Sequence, residues 1–122
     1  MSRASREKSI KSKHQWPALA TLLCRHFGER FWFEYDSFEC ARKAFVDSLD
    51  HTGRKQIAAE WWDWNARAGA VDDIRPALAH LGVAPPFDTA ADARTFMNQL
   101  YDALIVAIRA TAPGWKPGAA AR

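Results

Sequence analysis

The sequence predicts an all-α fold: a small single-domain bundle of about five helices, with a disordered basic N-terminal arm. Three observations carry that expectation. Apolar residues recur at helical spacing in five separate stretches. Short segments rich in Gly, Pro and Asp join them, as in a bundle of neighbouring helices. One stretch alone alternates with a β period, and nothing else in the chain reads as a partner strand. A length of 122 residues suits one domain with one core. The expected division is a disordered basic arm over 1–13, a helical domain over 14–111 and a flexible tail over 112–122.

Residues 1–13, "MSRASREKSIKSK", carry Arg3, Arg6, Lys8, Lys11 and Lys13 against Glu7 and hold one large aliphatic residue, Ile10. Such a segment buries too little to order itself. The first helix is expected from about His14 to Phe27, with Pro17 in its first turn. Leu19, Leu22, Leu23, His26 and Phe27 lie on its inner face, and Gly28 stops it. "ERFWFEYDS" follows, with Phe31, Phe33 and Tyr35 alternating against Trp32 and Glu34. It reads either as a short extended segment or as a connector folding its aromatics over the core. The second helix starts at Asp36 or Ser37, Asp36 and Glu39 having capping-box spacing, and buries Phe38, Ala41, Phe45, Val46 and Leu49. "DHTG" turns the chain. The third helix runs from about Gly53 to Ala68 and stops at Gly69. A fourth begins near Asp72, starts late because of Pro76, turns Ile74, Leu78 and Leu81 inward, and ends at Gly82. "GVAPPFDT" is a stiff loop. The fifth helix, from Thr89 and Asp92, spans more than four turns with Ala93, Phe96, Met97, Leu100, Leu104, Ala107 and Ile108 inward.

The third helix holds "AEWWDWN", three of the chain's six tryptophans. Ile57, Trp61, Trp64 and Ala68 share one face, which belongs in the core. Gln56, Glu60, Asp63 and Arg67 share another, which belongs in water. Trp62 lies on the flank between them. It reads either as a half-buried rim residue or as an aromatic anchor bordered by Glu60 and Asp63, the composition of a binding hot spot. Trp32 with Glu34 and Asp36 forms a second such group.

The net charge of +3 conceals a segregation. Residues 14–115 hold ten Lys/Arg against thirteen Asp/Glu, a mildly acidic body beside an arm of charge +4. The basic balance therefore does not argue for a nucleic-acid-binding core. The arm is Ser-rich and free of aromatics, which favours a solubilising role over RNA binding. The basic stretch followed by "WPALATLLC" resembles the start of a signal peptide, but Arg25 and His26 interrupt it and no small-x-small site follows. No apolar run reaches the ~18 residues of a membrane span. Cys24 and Cys40 allow one bridge at most and read as buried reduced thiols of a cytoplasmic protein. No Glu-x-x-His pair, zinc spacing, phosphate loop or nucleophile elbow is present. Cys24 and His26 diverge on a helix, and His14, His51 and His80 read as surface or capping residues. The expectation is a protein that is no enzyme and needs no cofactor or metal.

"LATLLCRHFGERFWFEYDSFECARKAFV" resembles the immunity proteins of bacterial contact-dependent growth inhibition systems. In one such family the first helix ends in a Tyr-Phe-His-Gln-Asp-Trp-like segment, an acidic start to the second helix follows, and that helix ends in a Phe-Val or Phe-Ile pair. His26-Phe27 and Trp32 stand at the first segment, Asp36-Ser37-Phe38-Glu39 with Ala41 at the second, and Phe45-Val46 at the pair. "IRPALAHLGVAPPFDTAADARTFMNQLYDAL" is similar to the family's short helix, Leu-Gly stop and last helix, with Phe96 and Leu100 at its aromatic-x-x-x-Leu spacing. The resemblance covers residues 17–108. Here Gly28-Glu29 replace the family's Gln-Asp, and Phe31 and Phe33 are extra aromatics.

The resemblance implies a non-catalytic cytoplasmic protein, monomeric in a 1:1 complex. It would neutralise a cognate toxin, the C-terminal domain of a large secreted protein, commonly a tRNase or DNase, without contacting nucleic acid or membrane itself. An acidic body with aromatic anchors complements an electropositive nuclease site. The candidate toxin-binding residues are Glu60, Trp62 and Asp63, and Trp32, Glu34, Asp36 and Glu39. The alternative is a helical nucleic-acid-associated protein acting through its basic arm.

Overall fold

Helices carry the chain almost from end to end. The computed structural model describes residues 3–116, and these form seven helices and no strand. They are α1 (Arg3–Gln15), α2 (Pro17–Phe27), α3 (Phe31–Glu34), α4 (Phe38–Asp47), α5 (His51–Ala66), α6 (Arg75–His80) and α7 (Ala90–Arg109). Four of them close a ring around the core: α2 packs on α4, α4 on α7, α7 on α5, and α5 on α2. Helix α1 lies outside, against α2 and α6. No helix among the described residues is long and apolar enough to cross a membrane.

The core holds most of what the helical spacing assigned to it; Phe38, expected to be buried, is 38% exposed at the edge of the aromatic cluster. Leu19, Leu23, Phe27, Phe45, Trp61, Trp64, Leu100, Leu104 and Ile108 are all essentially inaccessible to water. Helix α5 buries Ile57, Trp61 and Trp64, and α7 buries Ala93, Met97, Leu100, Leu104, Ile105 and Ile108. Trp61 stands edge-on to Phe45, with ring centres 6.2 Å apart, and close to Tyr101 at 5.4 Å. Trp64 is covered by Gly69. A Cβ there would come within 2.6 Å of the indole, so only glycine lets the chain cross the ring.

The caps explain where several helices start and stop. Ser37 Oγ accepts the Cys40 N–H at 3.1 Å, so the second of the two expected residues caps α4 and Asp36 stays outside. Asp50 caps α5 by accepting the Gly53 N–H at 2.7 Å, which moves its start forward from Gly53 to His51. Thr89 Oγ1 accepts the Asp92 N–H at 3.0 Å at the head of α7. Helix α6 ends in a paired motif: Gly82 N–H donates to Ala79 O at 3.0 Å and Val83 N–H to Leu78 O at 3.1 Å. The Gly82 φ of 96° makes this closure natural for glycine.

Three expectations need correction. Residues 3–13 are not an unstructured arm; they belong to α1. Its Ala, Glu, Lys and Gln residues are good helix formers, Arg3 and Glu7 pair at 3.3 Å one turn apart, and Ser12 is buried at the packed side. Small side chains let α1 lie close to its neighbours, a contact that an apolar count does not register. The helix expected from His14 breaks at Trp16, because a residue before proline is driven out of the helical region; Trp16 has φ −129° and ψ 64°. Finally, Cys24 and Cys40 are exposed rather than buried, since both point off the helix faces that meet the core.

The flexible tail expected over 112–122 falls beyond residue 116 outside the described residues. Within 112–116, Trp115 is half-buried against the core, and its carbonyl accepts from Arg109 Nε at 3.2 Å.

Candidate functional site

The two carboxylates among the α5 tryptophans have structural partners. Trp16 occupies the N-cap position of α2 but supplies no capping side chain. Glu60 fills that role from α5, accepting the Leu19 N–H at 3.1 Å. Asp63 accepts the Trp16 indole N–H at 2.8 Å and pairs with Arg67 Nε at 2.9 Å. Burial raises the Glu60 pKa, opposed by the hydrogen bonds it receives from Leu19, Ala18 and Gln56. The Arg67 and Trp16 hydrogen bonds lower that of Asp63. Of the face expected to be wet, Gln56 and Arg67 are exposed, while Glu60 and Asp63 line the seam between α5 and the head of α2. Trp62 is 55% exposed beside it. Glu60→Ala should cost about 1–2 kcal/mol in urea unfolding, the loss of a helix cap. Glu60→Gln, which keeps an acceptor oxygen, should recover most of it.

The second group stands at the far end of α2, a helix of 11 residues and therefore about 16 Å long. The alternating segment is no strand: Phe31 is buried in the core and Tyr35 packs against it, while Trp32 and Phe33 stand outside. Phe31–Glu34 make one helical turn, with Tyr35 N–H donating to Phe31 O at 3.0 Å. Successive side chains then diverge by about 100°, so Phe31 points inward and its neighbours outward. Trp32 is 66% and Phe33 88% exposed.

The base beneath them is aromatic. Phe31 packs on Phe38 with centres 4.8 Å apart, Phe27 edge-on to Phe96 at 4.9 Å, and Phe96 against Phe87 at 5.1 Å. Trp32 leans edge-on against Phe31 at 4.8 Å. The loop before α7 is tied to this end as well, since Ala84 N–H donates to Phe27 O at 2.8 Å. Carboxylates surround the two anchors in sequence. Glu34 pairs with Arg30 at 3.2 Å. Asp36 and Glu39 are exposed and form no ion pair among the described residues.

Behind the tip, His26 locks the segment down. It is 4% exposed. Tyr35 OH lies 2.7 Å from its Nδ1 and Ser48 Oγ 3.4 Å from its Nε2. Ser48 directs its hydroxyl hydrogen to Phe45 O at 2.9 Å. With the Ser48 hydroxyl hydrogen on Phe45 O and the ring's charge disfavoured by burial, Nε2–H donates to Ser48 and Nδ1 accepts from Tyr35. That is a neutral imidazole. Burial, then the nearby Arg25 charge, hold its pKa below the ordinary 6.5, with Glu34 opposing. A base whose pKa falls on folding contributes stability that is complete above the unfolded value and is lost as pH drops through the folded one. Stability should therefore be flat above pH 6.5 and decline below it. His80, lowered by burial and Lys8, acts in the same direction. His26→Gln should flatten part of this decline in denaturation midpoints measured from pH 7.5 to 5; an unchanged slope would contradict the neutral assignment.

Of the residues singled out from sequence, the structure gathers Trp32, Glu34, Asp36 and Glu39 around one end, and places Glu60, Trp62 and Asp63 at the other end of α2. Phe33, the most exposed aromatic, shares one side of the β alternation with the buried Phe31; its exposure becomes readable only when the segment is taken as a helical turn. Compared with known protein families, curated proteins and solved structures, the chain matches none.

Proposed function

We propose that this chain is an immunity protein of the contact-dependent growth inhibition type, which binds and neutralises a cognate toxin domain in the cytoplasm. The observation that carries the reading is the α3 tip. Two large aromatics project into solvent from a firmly packed aromatic base, with carboxylates beside them. Exposure of this kind gains nothing for folding and suits burial in a partner. The base limits the ordering cost of binding, and Asp36 and Glu39 favour approach to a cationic surface such as a nuclease site. The resemblance over residues 17–108 supports the same reading, because His26, Phe27, Trp32, Asp36 and Phe45 all lie in or beside this tip.

Glu60 and Asp63 are set aside as primary contacts, being occupied at the α2 seam. The toxin-binding surface is therefore assigned to Trp32, Phe33, Glu34, Asp36 and Glu39, with Trp62 outside it. The test pairs the protein with the toxin domain encoded beside it, measuring affinity and protection of toxin-expressing cells. Replacing Asp36 and Glu39 together by lysine should slow association several-fold at low salt, and the effect should shrink as salt rises. An association rate insensitive to both the substitutions and salt would remove the tip from the interface.

A further inference from the structure

The fold of α1 changes what its charges can do. All five cations, Arg3, Arg6, Lys8, Lys11 and Lys13, are exposed on one helix, and only Arg3 is in an ion pair among the described residues. Helical spacing sorts four of them into two rows. Lys8 and Lys11, three residues apart, share one flank; Arg6 and Lys13, seven apart, share the other. Three of the four also line grooves beside α1. Lys8 and Lys11 line a groove of about 330 Å³ that also carries Arg67. Lys13 lines a separate one of about 680 Å³, which carries Arg25 and Arg30 together with Glu29 and Glu34. Thirteen residues make α1 about 20 Å long.

We infer that α1 is a docking surface for the phosphate backbone of a nucleic-acid duplex, bound without regard to sequence. A duplex carries one charge per about 1.7 Å of its axis, so the two cationic rows can follow both strands along the helix. A membrane fits poorly, because Ile10 is the one large apolar side chain α1 exposes and an interfacial helix needs an apolar face. An acidic protein fits poorly as well, since the surface lacks the aromatic anchors that hold protein partners. The four cations themselves lie outside the α3 tip, which the Lys13 groove meets only at Glu34, and the inference does not rest on the toxin-binding reading.

The test is fluorescence anisotropy of the full chain with labelled 20-base-pair DNA and RNA duplexes across a salt series. The comparison variant carries Arg6→Gln, Lys8→Gln, Lys11→Gln and Lys13→Gln, which keep helix propensity and leave Ser12 in place; circular dichroism checks its fold. Four phosphate contacts give a log–log salt slope near −3.6, so a fourfold rise in salt should weaken binding on the order of 100-fold. The variant should bind at least tenfold more weakly with a shallower slope. The DNA and RNA arms identify which duplex is preferred, and binding of either supports the inference. It is overturned if neither duplex binds at 50 mM salt or below (a deliberately low ionic strength, about a third of physiological). Equal binding by the variant, equally tight binding of polyglutamate, or binding of phosphatidylserine vesicles without binding of a duplex would also overturn it.

Discussion

Replacing Trp64 by alanine is expected to destabilise the protein by about 3–5 kcal/mol, and Trp61→Ala by a similar amount. Both indoles are shut off from water, and neither site can collapse easily. Trp61 is gripped by Phe45 and Tyr101 from α4 and α7. Trp64 carries the turn at Gly69, whose backbone N–H also donates to Trp64 O at 2.8 Å. Since small domains are commonly stable by only about 5–15 kcal/mol, either change consumes a large share of the total. Trp62→Ala is the control within the same seven residues. It removes an indole that is mostly in water and should shift stability by about 0.5 kcal/mol or less. Urea denaturation of the three variants decides the matter; equal losses at Trp62 and Trp64 would mean that α5 presents a different face to the core.

Trp32→Ala and Phe33→Ala are expected to show the opposite profile. Phe33 is almost free of contacts, and Trp32 touches the body mainly through Phe31, so folding should change by about 1 kcal/mol or less. Binding to the toxin domain should weaken by about 2 kcal/mol for each, roughly 30-fold, expressed mainly as faster dissociation. The double variant should fail to protect toxin-expressing cells while unfolding near the parent's midpoint. Full protection and parental affinity in a folded double variant would refute the tip as the anchor. The paired profile separates a binding defect from a folding defect, which Glu60 and Asp63 variants cannot do, because those carboxylates hold the head of α2.

Much of the fold is legible in the sequence because it depends on short-range periodicity. The i, i+4, i+7 spacing of Ile57, Trp61 and Trp64 places them on one face whatever lies opposite, and burial follows from the transfer free energy of large apolar groups. The same holds for Leu100, Leu104 and Ile108. Caps are also local: Ser37, Thr89 and Gly82 sit where the chain must satisfy its own end groups. The candidate site was legible in part. Trp32, Asp36 and Glu39 are found at the tip, but Phe33 was hidden by an alternation that fits two periods, and four residues are too few to choose between them.

What the sequence by itself determined is therefore an all-α chain, most of its inward-facing residues and the segregation of positive charge into its first thirteen positions. Only the tertiary structure decided the fate of groups whose partners are distant in the chain. Glu60 and Asp63 read as solvated on a helical wheel, yet they meet Leu19 and Trp16, 41 and 47 residues away, because α2 begins with a proline and lacks a cap of its own. His26 reads as one more residue on an inner face until Tyr35 and Ser48 arrive at its two nitrogens. The basic segment reads as disordered because its apolar content is low, but α2 and α6 offer it a surface that small residues can meet closely. In each case the deciding free energy belongs to a contact between elements, and periodicity within one element carries no record of it.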